Sequence, residues 1–198
     1  DDGLESWVDF ILYKDNSWTT INGWVKNTTN HSITFNNVTL LDALNMPNVS
    51  GDWKQTRVLC GTTDKLVWLG DVLNEKDKHL SARSFTCLYN KESKEECTMG
   101  FSIKQAWGSF NYDFSQDSPH FTANVMMDVD LRPGELRQAE AVHIKKGNVW
   151  NDLRELITAT GKEVGAITNG HSFSGWCSWY GFNPFIDNDI TEDVVTDF

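Results

Sequence analysis

The stretch FTANVMMDVDL, residues 121–131, alternates apolar and polar side chains. The apolar residues at positions 125, 127, 129 and 131 share one face of an extended chain, and Asp128 and Asp130 point to the other face. The turn sequence Arg132-Pro133-Gly134-Glu135 comes next, and residues 136–144 are expected to return as another strand. This stretch indicates β-structure.

Similar patterns occupy most of the chain before it. Short apolar or alternating runs, separated by turn residues, extend from residue 5 to about residue 145. No helical periodicity of useful length interrupts them before residue 148. We expect a buried strand at residues 7–13, a hairpin of residues 57–60 with 65–69, and further strands at residues 18–26, 33–41, 84–89 and 97–103. The fold class predicted for residues 1–147 is mainly β, an all-β sandwich.

The pattern changes after residue 147. Asn148 is a suitable helix N-cap, Gly161 is a suitable helix stop, and apolar residues recur between them at helical spacing, namely Trp150, Leu153, Leu156 and Ile157. We expect a linking helix within residues 148–164, helical to about residue 162. A short aromatic segment and an acidic, capped helix start follow, so residues 165–198 are expected to be the first βα unit of a larger domain.

Charge and composition exclude several classes of partner. The formal net charge of −11 argues against nucleic acid and against an anionic membrane surface, and no apolar stretch approaches the length of a membrane span. An acidic balance is compatible with a neutral ligand such as a sugar. The five histidines are scattered without metal-ligand spacing, so we expect no metal and no cofactor. His171 is the one histidine that lies close to the aromatic segment.

The cysteines and glycosylation sequons leave the cellular compartment unknown. Cys87 and Cys97 could face each other across a hairpin as a disulfide, or all four cysteines could be buried thiols. Four Asn-x-Ser/Thr sequons begin at Asn27, Asn30, Asn37 and Asn48.

The segment Gly175-Trp176-Cys177-Ser178-Trp179-Tyr180, with Ile190-Thr191-Glu192-Asp193-Val194-Val195 after it, resembles the first strand and helix of the catalytic barrel in glycoside hydrolase family 36 α-galactosidases. The turn at residues 131–135 and the Trp150 helix resemble the end of that family's N-terminal β-supersandwich and its linker. The resemblance covers about a third of the chain. The loop at residues 181–190 is longer than is usual in the family, which bears on substrate choice.

The resemblance implies a β-supersandwich, a linking helix and the first βα element of a truncated (β/α)8 barrel. It implies that Trp179 and Tyr180 contact the galactosyl ring, since both residues close the first barrel strand. A broad indole plane and a phenol suit the apolar face and the hydroxyl rim of a pyranose. The catalytic aspartates are expected beyond residue 198, so the parent protein would hydrolyse terminal α-galactosides with retention, whereas these 198 residues would be inactive alone.

Other interpretations stay open. One is a galactosyltransferase of the raffinose-synthase kind, and another is a non-catalytic carbohydrate-binding sandwich. Trp179 and Tyr180 could also be ordinary core residues. Trp7, Trp24, Trp68 and Trp107 are expected in the core, whereas Trp18 and Trp53 lie near loop edges and could supply an aromatic contact to the sugar. The carboxylates at 187–197 are better explained as a polar loop and helix start than as a catalytic pair, and the chain could form a homo-oligomer.

Overall fold

A computed structural model describes residues 3–14, 17–44, 49–61, 65–76, 78–102, 107–115 and 119–166 of the chain. All of them except Ala166 belong to one compact unit, Asp1–Gly165. The predicted barrel start lies outside the described residues.

The larger of two antiparallel sheets has eight strands, which are β1 (Leu4–Leu12), β2 (Trp18–Asn27), β4 (Thr56–Cys60), β5 (Lys65–Trp68), β7 (Phe85–Asn90), β8 (Glu96–Phe101), β11 (Leu136–Gln138) and β12 (Val142–Lys146). Their order is β1-β2-β12-β8-β7-β4-β5, and β11 pairs with β2 beside β12.

The smaller sheet has four strands, which are β3 (Ile33–Leu44), β6 (His79–Arg83), β9 (Trp107–Asp113) and β10 (His120–Leu131), in the order β3-β10-β9-β6. A short helix α1 (Leu69–Val72) follows β5, and a longer helix α2 (Val149–Glu163) follows β12. The prediction of a mainly β sandwich is confirmed.

Aromatic residues fill the core between the sheets. Phe110, Tyr112 and Phe121 are 0% exposed, and the Phe101 and Phe110 ring centroids lie 4.5 Å apart. Such rings bury large apolar areas, so they dominate the hydrophobic stabilisation of the sandwich. The buried Tyr112 hydroxyl lies 2.7 Å from the Thr86 hydroxyl, which satisfies both polar groups.

The alternation predicted for residues 121–131 is confirmed in β10. Val125 and Leu131 are buried, whereas Asp128 and Asp130 are exposed. The pairing of β10 with β3 is irregular next to Asp128, where φ is 48°. Aspartate is one of the few residue types that tolerate this left-handed conformation, so the bulge has a local cause in the sequence.

The prediction that the first strand is buried is wrong. Among the described strands, β1 lies at the edge of the larger sheet and pairs with β2, and its Phe10 and Leu12 side chains are 66% and 78% exposed. An apolar run indicates a strand, but its position in the sheet depends on pairing that a local pattern does not contain.

The four tryptophans expected in the core lie nearer the surface. Trp7 is 37% exposed and Trp107 is 62% exposed, whereas Trp24 and Trp68 are half-buried. Their rings contact neighbouring side chains at the surface and do not enter the core. Trp7 stacks on Trp24 with ring centroids 6.2 Å apart, and guanidinium groups cover Trp68 and Trp107, namely those of Arg57 and Arg83.

The single strand expected at residues 136–144 is divided into β11 and β12. Between them, the Ala139 amide donates to the Gly23 carbonyl, and residues 139–141 leave the regular ladder. The strand β6 was not predicted from the sequence.

The structure excludes a Cys87–Cys97 disulfide. Cys97 pairs with Leu88 and Cys87 pairs with Thr98, so the two thiols lie on opposite faces of the larger sheet. Both cysteines are free, and burial raises the pKa of each thiol to about 12.

Helix α2 begins and ends within one residue of the predicted bounds, but Gly161 is not its stop. The Asn148 side chain accepts a hydrogen bond from the Asn151 amide. The helix continues through Gly161 to Glu163, and Gly165 takes the positive φ of 68° after its end. Leu153 and Leu156 are buried, whereas Trp150 and Ile157 are 71% and 59% exposed, so the buried stripe is narrower than predicted. No described helix has both the length and the apolar character needed to cross a membrane.

Candidate functional site

The residues that the resemblance assigns to the sugar, Trp179 and Tyr180, lie outside the described residues. So do His171 and the acidic residues at 187–197. Their roles stay predictions.

The two sandwich aromatics suggested as sugar contacts have different surroundings. Trp53 stacks on Phe114 with ring centroids 5.1 Å apart. Trp18 begins β2, is 8% exposed, and borders a cavity on the larger sheet. Of the two, Trp18 is the one that the structure brings to a cavity containing polar groups.

This cavity belongs to the outer face of the larger sheet, which we define as the face that carries α2. Met99 and Ile144 belong to the core between the sheets, so their strand neighbours Gly100 and His143 point outward. Leu156 of α2 lies where a side chain on Gly100 would project. The glycine therefore lets the helix approach the sheet closely.

Two adjoining cavities, of about 450 and 610 Å³, are lined by outward-facing residues of this sheet, and the first also reaches Met127 and Val129 of β10 in the smaller sheet. They share five lining residues, namely Tyr13, Thr20, Ser102, His143 and Glu163. One cavity extends along residues 136–141, and the other extends along α2 to Trp18. Volumes of this size are typical of small-molecule sites. We call the two together the His143 cavity.

A chain of three polar side chains forms the floor of the His143 cavity. His143 Nδ1 lies 2.9 Å from the Thr20 hydroxyl, and Nε2 lies 2.5 Å from the Ser102 hydroxyl. Thr20 is opposite His143 in the β2–β12 ladder, and Ser102 directly follows β8, the other neighbour of β12. The sheet register therefore holds the imidazole between two hydroxyl groups.

An ion-pair network supports one wall of the cavity. The Trp18 indole N–H donates to Glu155 Oε2 at 3.1 Å, and Lys145 Nζ donates to the same oxygen at 2.6 Å. The hydrogen bond from Lys145 lowers the pKa of Glu155, and Glu155 in turn raises the pKa of Lys145. Lys145 also pairs with the buried Asp152 at 3.0 Å. These bonds connect β2 and β12 to α2 and orient the Trp18 ring edge-on to His143.

The arrangement favours hydrogen bonding over nucleophilic catalysis. A catalytic serine needs a histidine base. A third group, usually a carboxylate, orients that histidine and stabilises the imidazolium that forms. Here the group beside Nδ1 is the Thr20 hydroxyl. Within the described part of the chain, no group of three or more His, Cys, Asp or Glu side chains could hold a metal ion.

The sequence did not single out this cavity. Thr20, Ser102 and His143 are separated by 41 to 123 positions, and residues 102 and 143 carry no recognisable motif. They come together only through the order β2-β12-β8, which neither alternation nor turn chemistry specifies.

No family model and no curated protein matches the chain. A glycoside hydrolase family 36 α-galactosidase from Geobacillus stearothermophilus, solved in complex with raffinose, aligns at a TM-score of 0.54 and 12% identity, over 75% of this chain and 22% of that chain.

The galactosidase domain of an α-galactosidase–sucrose kinase aligns at a TM-score of 0.53 and 13% identity, over 73% of this chain and 22% of that chain. The chain thus spans about a fifth of the length of either galactosidase. At these identities the likeness concerns the fold alone: the chain has a β-sandwich similar to part of these two proteins.

Proposed function

We propose that this chain is the sandwich, linker and barrel start of a retaining glycoside hydrolase that acts on terminal α-galactosides. The observation that carries the proposal is the agreement of two independent features, one of fold and one of sequence. The sandwich resembles part of two α-galactosidases in fold. The segment 175–180, which follows the sandwich in the sequence, resembles the first barrel strand of glycoside hydrolase family 36 α-galactosidases.

In this proposal, the residues of the chain bind and orient the sugar. Trp179 covers the apolar face of the galactosyl ring, and the Tyr180 hydroxyl bonds to its hydroxyl rim. Two carboxyl groups supplied by residues beyond 198 carry out the double displacement: one attacks the anomeric carbon, and the other protonates the departing oxygen and then activates water. The sandwich supports the barrel.

The proposal is tested by the release of nitrophenol from an aryl α-galactoside by the protein extended through its reading frame. We expect turnover, and we expect Trp179→Ala to reduce kcat/KM by about 100-fold or more because the ring loses its stacking surface. Trp150→Ala is the matched control, since Trp150 is 71% exposed on α2, and it should leave kcat/KM unchanged.

Two outcomes would contradict the proposal. A well-folded extended protein without hydrolysis would exclude the hydrolase, and galactosyl transfer from galactinol would then identify a transferase of the raffinose-synthase kind. Equal kinetics for Trp179→Ala and Trp150→Ala would remove the role of Trp179 in substrate binding.

A further inference from the structure

We propose that two copies of this chain associate edge to edge, with β1 of one copy pairing antiparallel to β1 of the other about a two-fold axis at Val8. The pairing joins the two larger sheets into one continuous sheet. Self-association of this kind goes beyond the proposed hydrolase and does not depend on it. Three features of β1 support it: its free backbone groups, its exposed apolar side chains, and the register that its charges permit.

The backbone groups of β1 alternate between β2 and the open edge, which is the side of β1 away from β2. The Thr28 amide donates to the Gly3 carbonyl at 2.8 Å, so residues 3 and 28, the next step of the β1–β2 register, form a hydrogen-bonded pair. In an antiparallel ladder such pairs alternate with pairs that are not hydrogen-bonded. The odd-numbered residues of β1 therefore bond to β2. The even-numbered residues direct their N–H and C=O groups to the open edge, namely Leu4, Ser6, Val8, Phe10 and Leu12.

The bonds of β2 on its other side agree with this alternation. Gly23 lies opposite Val8, and its carbonyl accepts from the Ala139 amide. Asn27 lies opposite Leu4, and its amide and carbonyl bond to the turn that precedes β11. These groups of β2 point away from β1. The open edge of β1 therefore presents a row of backbone donors and acceptors to a further strand, which is the template that a second chain can pair with.

Strand β1 lacks the features that usually prevent such pairing. Its register with β2 runs from Leu4 to Leu12 without a bulge, and the strand contains no lysine and no proline. Its even-numbered residues, which share the core side of the sheet with Ile21 of β2, carry no charge. Bulges, lysine, proline and inward-pointing charges are the common means of keeping an edge strand single. The edge strand β3 of the smaller sheet is different, since its pairing with β10 has two irregularities and its exposed residues are mainly polar.

The exposed apolar surface of β1 is large enough for an interface. Six large apolar residues in and directly after the strand are 37–78% exposed, namely Trp7, Val8, Phe10, Ile11, Leu12 and Tyr13. The three aromatic residues leave about 300 Å² accessible in each copy, and the three aliphatic residues add a comparable area. Two such edges together offer about 1,200 Å², which is the lower end of the range for specific, stable interfaces.

Charge excludes two of the central registers. Opposite residues of antiparallel strands point to the same face of the sheet, so a two-fold axis must pass at a residue that pairs with its own copy. An axis at Trp7 would place Glu5 opposite Asp9 of the second copy. An axis at Asp9 would place the two copies of this aspartate opposite each other. Like charges directly opposite each other destabilise a strand pair.

The axis at Val8 avoids both conflicts and uses the whole strand. It places Leu4 opposite Leu12 of the second copy, whereas axes nearer either end of β1 pair fewer residues. Phe10 then lies opposite Ser6 of the second copy and diagonal to its Val8, so the large ring has a small residue across from it and an apolar one beside it. The strand length, the charges and the side-chain sizes thus favour one register.

Sedimentation velocity of the 198-residue chain tests the association. We expect a concentration-dependent species of twice the 22.5 kDa chain mass, with a dissociation constant in the micromolar range for an interface of this size. Salt should strengthen it, because each copy carries a net charge of −11 and salt screens the repulsion. Phe10→Lys should weaken the association about tenfold or more, because it places a charge within the paired edge. Leu66→Lys is the matched control, since Leu66 is 54% exposed on β5 at the opposite edge of the same sheet, and it should have no effect.

Cross-linking tests the register. Val8→Cys sets two thiols opposite each other at a hydrogen-bonded pair, where the Cα separation of about 5.5 Å suits a disulfide. Mild oxidation should therefore give a covalent dimer. Phe10→Cys is the matched control because it retains the same native cysteines. In the register at Val8, residue 10 of one copy lies four positions, or about 13 Å, along the strands from residue 10 of the other, so this variant should not cross-link.

Four outcomes would overturn the proposal. A chain that stays monomeric at about 1 mM would exclude self-pairing and leave the edge to a different polypeptide. Equal association of Phe10→Lys and Leu66→Lys would place the interface elsewhere. Failure of Val8→Cys to cross-link, or cross-linking of Phe10→Cys at the same rate, would exclude the register. If Phe10→Lys does not fold, Val8→Cys decides, because it introduces no charge. None of these measurements involves turnover, so their failure would leave the α-galactoside proposal intact.

Discussion

Asn27, a fully buried amide at the end of β2, holds together segments that are distant in sequence. Its Nδ2 donates to the carbonyls of His31 and Leu131, both at 2.8 Å, and its Oδ1 accepts from the amide and the hydroxyl of Thr29 at 2.8 and 2.7 Å. Both amide hydrogens are used, so a glycan on this sequon is incompatible with the fold. Asn30 and Asn37 are exposed, and Asn48 lies outside the described residues.

Replacement of Asn27 should therefore destabilise the protein strongly. We expect Asn27→Ala to lower the free energy of unfolding by about 2–4 kcal/mol, because buried carbonyl and amide groups lose their partners. Asn27→Asp should cost at least as much, since a carboxylate oxygen would face the two carbonyls to which the amide now donates. Urea denaturation measures both. Asn30→Ala, a change in the exposed neighbouring sequon, should stay within about 0.5 kcal/mol, and a similar small change for Asn27→Ala would contradict this account.

At the scale of elements, one close contact with the sheet contributes to the docking of α2. An added Cβ at Gly100 of β8 would overlap the Leu156 side chain. Gly100→Ala should cost about 1–3 kcal/mol through overpacking, and Leu156→Ala about 2–3 kcal/mol through loss of buried area. In the double variant Gly100→Ala/Leu156→Ala, the shortened residue 156 makes room for the new methyl group. The double change should therefore cost clearly less stability than the sum of the two single changes.

The double-mutant cycle is measured by chemical denaturation. Ile157→Ala, at a 59% exposed position of the same helix, is the control and should combine additively with Gly100→Ala. Additivity of the Gly100 and Leu156 changes would mean that the helix does not pack on the sheet at this point.

The same elements show what the sequence can predict. Alternation located β10 and its faces, and the Asn148 cap located the start of α2, because both signals are local. The exposure of β1 and the division of residues 136–144 depend on which strands become neighbours, and a local pattern contains no such information. The His143 cavity was missed for that reason, since its polar residues meet across three strands. The resemblance at residues 175–180 concerns a part of the chain that the described structure does not test.

For the whole molecule, lowering the pH has two opposing effects on stability. The net charge is −11 at pH 7 and the isoelectric point is about 4.8, so moderate acidification reduces self-repulsion. Several carboxylates oppose this trend because hydrogen bonds lower their pKa values in the folded state, namely Glu95, Asp113, Glu135 and Glu155. Glu95 is the extreme case: hydrogen bonds from Lys146 and Ser50 lower its pKa from 4.5 to about 2.

A folded-state pKa below the unfolded value stabilises the protein above the unfolded pKa, and this contribution is lost as the pH falls toward the folded pKa. We therefore expect Tm to change little between about pH 7 and pH 5, where relief of repulsion acts, and to fall between the ordinary pKa of 4.5 and the Glu95 value of about 2. Scanning calorimetry across this range measures the profile.

Glu95→Gln should lower Tm at neutral pH. It should also make the fall of Tm at acid pH shallower, because the bonds of residue 95 to Lys146 and Ser50 no longer depend on a carboxylate. Glu5→Gln, on the exposed edge strand β1, removes the same charge and is the matched control. A Glu95→Gln profile parallel to that of Glu5→Gln would show that the Lys146–Glu95–Ser50 contacts add nothing to the acid sensitivity of the fold, and that net charge alone governs it.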